Sequence, residues 1–103
     1  MRRIIVHYGI PKNPAEFDTH YKNIHIPLTS ALPHLEGFEL SRGDVHCSDE
    51  ARPVYLTAIL TYANAEDMDA SLSSSEGQAA VADVANFASG GVTLITVDTE
   101  ELL

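Results

Sequence analysis

The chain has one cysteine, Cys47, and no tryptophan. A single thiol excludes an intrachain disulfide and a cysteine-rich zinc site. Cys47 is expected as a small buried apolar residue. Basic residues are also scarce: six Lys and Arg stand against fifteen Asp and Glu, for a formal charge of -9. No basic stripe offsets that sign, so phosphate backbones and anionic headgroups are repelled, and neither nucleic acid nor membrane is an expected partner. No apolar run approaches the roughly 18 residues of a membrane span. The opening MRRIIVHYGI lacks a small-residue cleavage site and reads as a first strand, which makes the expected location cytoplasmic. There is no HExxH or CxxC, and His20 and His25 are five residues apart, about 140° around a regular helix. No glycine-rich loop follows a strand, so neither a metal nor a dinucleotide cofactor is expected.

What is present fits one domain spanning residues 1–103, with 45% hydrophobic residues and room for a small core. Arg2 to Ile10 is rich in β-branched residues and predicts a central strand that ends at Gly9 and Pro11. Asn13-Pro14-Ala15-Glu16 then starts a helix, with Asn13 as cap and Pro14 at the first helical position. Phe17, Tyr21, Ile24 and Leu28 form its predicted apolar stripe, with His25 one turn after Tyr21 at the stripe's edge and His20 on the opposite flank. Pro27 removes a donor and disfavours helical angles at Ile26. A kink or a break is therefore expected there, with a shorter helical turn from Leu28 to Leu32.

Phe38 to Cys47 predicts a second strand, and Val54 to Tyr62 a third, apolar on both faces. Asn64 starts a further helical region, interrupted at Ser73-Ser74-Ser75, where Ser75 and Gln78 predict a second capping box. Gly90-Gly91 stops it, and Val92 to Val97 is the last strand. The order β-α-β-β-α-β predicts an α+β, ferredoxin-like antiparallel sheet with helices on one face. In that topology the first and second strands are not neighbours, so His7 and His46 do not pair across the sheet. The uncovered face carries apolar residues, which predicts a homodimer.

Phe17, Tyr21, the run His25-Ile26-Pro27-Leu28, the pair Leu32-Pro33 followed by Leu35, the strand starting near Phe38, and Gly90-Gly91-Val92 together resemble the signature of the EthD family. The resemblance covers nearly the whole chain. It departs at His34, where the family usually has glycine. It implies a dimeric α+β barrel, in which two ferredoxin-like sheets pair. It also implies relatives that act on aromatic or lactone metabolites as isomerases, cyclases, dehydratases or cofactor-free monooxygenases, with His and Tyr side chains moving protons.

His25 is accordingly the first candidate for catalysis, since imidazole exchanges a proton near neutral pH. Tyr21 is placed to donate a hydrogen bond to a developing oxyanion. The alternative for this pair is structural, with His25 closing the helix end and Tyr21 in the core. His7, on the Ile5 face of its strand, together with Phe17, Leu28 and Tyr62, completes the expected substrate-binding set. The leading expectation is a small cofactor-free enzyme for a small apolar or aromatic metabolite. A non-catalytic protein that binds such a molecule is the alternative, and haem binding through His25 is the least favoured.

Overall fold

The computed structural model describes all 103 residues, Met1–Leu103. The β-branched N-terminal run forms strand β1, Arg2–Gly9. Its alternation sends Ile4, Val6 and Tyr8 into the core and leaves Arg3, Ile5 and His7 on the opposite face. Strand β3, Val54–Tyr62, lies antiparallel on one side of β1, and β4, Val92–Asp98, on the other. Strand β2, Gly37–Leu40, flanks β3, giving the order β2-β3-β1-β4. This is the expected α+β, ferredoxin-like sheet. β2 is shorter than predicted. It ends at Leu40, and Gly43 in the loop that follows has φ +74°. Cys47 lies in the same loop and is only half-buried, against expectation.

Helix α1, Pro14–His20, starts as predicted: the Asn13 side chain accepts the Glu16 N–H at 3.1 Å. Of the kink or break expected at Pro27, the break does not occur. The helix instead widens into one π turn over Tyr21–His25, where the Ile26 N–H reaches the Tyr21 carbonyl, and continues as α2, Ile26–Ser30. Ile26 stays helical at φ -59° and ψ -48°. The wide turn takes up the misfit just before the residue that lacks an N–H, which is how a π bulge keeps a helix continuous.

The π turn also rephases the helix. The buried positions are Phe17, Tyr21, His25 and Thr29, while Ile24, predicted on the stripe, is 46% exposed. In a regular helix four-residue steps drift by about 40° each. The extra residue in the wide turn counters that drift and turns His25 inward.

Helices α3, Ala65–Ser73, and α4, Ser75–Asp83, cover the rest of the same sheet face. The cap between them is Ser74, one residue before the predicted Ser75. Its hydroxyl accepts the Gly77 N–H at 3.0 Å, and Gln78 donates to the Ser73 carbonyl. Val84–Asn86 adds a short 3-10 turn. No helix is long and apolar enough to cross a membrane.

The turn before β2 explains the departure at residue 34. His34 has φ +64°, a left-handed conformation in which a Cβ is strained. His34→Gly is expected to stabilise the fold by about 0.5–1 kcal/mol, the relief of strain being partly offset by a more flexible unfolded chain. Urea denaturation of the two proteins checks it.

Candidate functional site

A small cavity lies between the sheet and the helices. β1 supplies Ile4, Val6 and Tyr8 as its floor, and the π-bulged helix supplies Tyr21, His25 and Thr29 as one wall. The second wall is α4, through Ala80, Val81 and Val84. Of 16 lining residues 14 are hydrophobic and none is an acid, lysine or arginine, so a charged ligand group would find no partner inside. The cavity measures about 80 Å³. Its rim includes Val81 and Leu94, 59% and 58% exposed, beside the edge strand β4.

Aromatic packing fixes the wall. Phe17 and Tyr21 stack with centroids 5.7 Å apart, and Tyr8 meets both edge-on at 5.6 Å. Phe87 packs against Tyr21 at 5.5 Å and His25 at 4.7 Å. Each such pair contributes about 0.5–1.5 kcal/mol beyond burial. The His25 ring sits 5.1 Å from that of Tyr21. The two catalytic candidates are therefore brought together on the cavity.

Behind the wall is a carboxylate that the sequence reading passed over. Asp83, at the end of α4, is buried. His25 Nδ1 donates to Asp83 Oδ2 at 3.0 Å, and His20 Nε2 donates to Asp83 Oδ1 at 2.8 Å. Asn86 Nδ2 also donates to Oδ1, at 3.1 Å. An ionised carboxylate only accepts, so Nδ1 of His25 carries the hydrogen and Nε2 keeps its lone pair. The π turn explains how both imidazoles reach one residue. Positions five apart diverge on a regular helix, but the wide turn brings them onto one side. A signal was present: an acid between Ala80 and Phe87 on an otherwise apolar helix face.

The ionisations follow from these surroundings. Burial pushes His25 below its ordinary value, against the upward pull of Asp83. Burial raises Asp83, but hydrogen bonds from Asn86, His20 and His25 outweigh it and hold the group below the usual carboxylate range. Burial also pushes Tyr8 up to about 12 and Tyr21 well above its usual value, so both hydroxyls stay protonated near neutral pH.

Both depressed values act on stability in the same direction. The unfolded chain takes up each proton first, so the stabilisation is complete above the unfolded value and lost as pH falls towards the folded one. Stability is expected to hold above about pH 6.5, fall below it through His25, and fall again below about pH 4 through Asp83. His25→Gln is expected to remove the first fall and leave the second, as read by thermal unfolding across that range.

The expected substrate-binding residues lie elsewhere. Phe17 is buried in the aromatic cluster, outside the cavity lining. Leu28 packs against the core but does not reach the cavity. Tyr62 is fully buried, its hydroxyl 2.9 Å from Ser71 Oγ. His7 is on the far face of the sheet, where Nδ1 lies 3.0 Å from Thr57 Oγ1. There it borders a separate groove with His46 and Cys47, which the loop after β2 brings over. His7 and His46 thus share a groove without being strand neighbours.

Comparison with known proteins identifies the family and the fold. The family model described as EthD domain matches residues 11–91. An uncharacterised 11.0 kDa protein of Rhodococcus erythropolis, from the thcB-thcC intergenic region, is 39% identical over 105 residues, covering 100% of this chain and 99% of that one. The crystal structure of an ethyl tert-butyl ether D (EthD) family protein from Bacillus halodurans has a TM-score of 0.86 at 29% identity, over 97% of this chain and 99% of that one. SnoaB from Streptomyces nogalater, a cofactor-independent oxygenase, has a TM-score of 0.68 at 12% identity over 99% and 95%. A dimeric, ferredoxin-like protein of Bacteroides fragilis has 0.65 at 16% over 95% and 95%. At such identities the last two show the fold alone. The family match and the extent of the first two similarities make the chain a member of the EthD family.

Proposed function

We propose that the protein is a small enzyme that moves a proton on a neutral, largely apolar substrate without a cofactor. The observation that carries this is His25, buried on an apolar cavity with its Nδ1 hydrogen held by Asp83. That bond leaves Nε2 as a base, and Tyr21 and Tyr8, which line the same cavity, are the hydroxyl donors available to an oxygen that gains charge. Abstraction of a proton beside a carbonyl needs these parts: base, oxyanion donor and a dry site. Such a step fits isomerisation, cyclisation, dehydration, or the carbanion that starts cofactor-free oxygenation. That the fold also serves a cofactor-independent oxygenase is in keeping with it.

The lining selects the substrate class. With no charged side chain facing in, a carboxylate or phosphate on the buried part is disfavoured. An apolar cavity of about 150 Å³ holds benzene. At about 80 Å³ this one takes a single ring only if the exposed Val81 and Leu94 side chains move aside. The test is deuterium uptake. Neutral aromatic carbonyl compounds are screened for binding by NMR, and those that bind are incubated with the protein in D2O. Uptake at the carbon beside the carbonyl supports the enzyme. Binders that take up none support the alternative, a non-catalytic protein that holds such a molecule.

We also propose a homodimer formed through the uncovered sheet face. In register across that face, Ile59, Ile5 and Ile95 form a row. On one side His7 is paired with Thr57, and on the other Arg3 with Thr61 at 2.7 Å. An apolar row flanked by these paired side chains suits a buried contact. Sedimentation at micromolar concentration is expected to give a dimer, and a stable monomer overturns it.

A further inference from the structure

We propose that His20 is the solvent-side control of the pocket base: through the carboxylate they share, its charge state sets how readily His25 takes up a proton. The role assigned to that control presupposes the proton-transfer reading above, although the coupling itself does not.

The geometry is asymmetric. Asp83 is one negative charge with two imidazoles, His25 at 3.0 Å and His20 at 2.8 Å. The side chains of His25 and Asp83 are 7% and 6% exposed, that of His20 24%. Phe87 packs against both imidazoles, 5.3 Å from His20 and 4.7 Å from His25, so no water layer separates the cluster from the core on that side. With both imidazoles neutral the cluster has charge -1. A first proton makes it neutral. A second leaves a net positive charge beside an apolar cavity, which burial strongly opposes. The two protonations therefore oppose each other.

Of the two imidazoles His20, 24% exposed against 7% for His25, is the one whose charged form water can solvate. Once His20 is charged, the carboxylate is already compensated and no longer offsets the cost of charging buried His25. His25 is then a poorer base. Acid reaching the surface would thus turn down the pocket base without opening the pocket.

No other charge on the surrounding elements overrides this. On the His25 side β1 and the helix present Tyr8 and Tyr21, both neutral, and β2, β3, β4 and α3 present no ionisable group to the cavity. On the His20 side the crevice holds Lys12 and Glu16, of opposite sign.

His20 is a positioning residue in this scheme, since it touches neither cavity nor substrate. Its effect is read by NMR titration of the imidazole carbons of the full chain from about pH 9 to about pH 4, without any substrate. In the unaltered protein the His20 and His25 curves are expected to deflect each other, because coupling is reciprocal. In His20→Gln the amide can still donate to Asp83 but cannot charge. The His25 midpoint is expected to rise by about one pH unit and its curve to become a single step. A merely structural His20 moves neither. Independent curves in the unaltered protein, or a His25 midpoint unmoved in His20→Gln, overturn the proposal, as does a His25 that stays neutral throughout in both. Coupling without turnover would fault the enzyme reading alone. Turnover without coupling would fault this proposal alone.

Discussion

Asp83→Asn is expected to lower turnover by about 10²–10⁴-fold while the fold and ligand affinity change little. The argument rests on which way the new amide points. An aspartate offers acceptors on both oxygens, and here Oδ1 takes hydrogens from His20 and Asn86 while Oδ2 takes one from His25. An amide has one acceptor and one donor. Two donors fix its oxygen at the Oδ1 position, which leaves the NH2 facing His25 Nδ1. That nitrogen must then accept, so its hydrogen moves to Nε2. Nε2 then carries a hydrogen instead of a lone pair, and the base is gone although every bond has a partner. The nitrogen shifts of His25 would report the exchanged tautomer directly. A bound ligand whose deuterium uptake survives the substitution would show that His25 is not the base.

The same network shows what could be read in the sequence. The fold was legible because its signals are local: β-branched runs, Asn13 and Asn64 as caps, Gly90-Gly91 as a stop. Tyr21 and His25 were also legible, being one turn apart on a helix. The π turn was half-legible. Pro27 marked a disturbance, but a chain can answer a missing N–H by breaking or by widening, and the propensity of Ile26-Pro27 does not decide between them. Packing does, because only the widened turn buries Phe17, Tyr21, His25 and Thr29 together.

Asp83 was missed for a related reason. Its two imidazole partners are 63 and 58 residues away in the chain, so no spacing rule connects them. The expected binding residues Phe17, Leu28 and Tyr62 failed to reach the cavity because apolar periodicity identifies the buried face of an element. It does not say which part of that face meets a cavity and which meets another side chain.

Gly90→Ala is expected to destabilise the protein by about 2–4 kcal/mol, read as a loss of denaturant midpoint. A glycine after a helix would ordinarily be assigned to the left-handed angle it permits, and here that requirement falls on Gly91, at φ +90°. Gly90 is needed for a different reason: two backbones touch. A Cβ on Gly90 would overlap the Ile10 carbonyl oxygen and lie 2.6 Å from the Gly9 carbonyl, and a Cβ on Gly9 would in turn strike the Gly90 carbonyl. These are backbone atoms held by the Gly9 N–H bond to the Gly91 carbonyl at 3.0 Å, so no side chain can swing away. Relief requires β1 and the start of β4 to separate. Val92 and Leu94, which line the cavity, follow immediately. The substitution is therefore expected to loosen ligand binding as well as the fold, unlike Asp83→Asn. A Gly90→Ala protein with unaltered midpoint would mean that the strands part without cost and that the close contact is not what holds β4 in register.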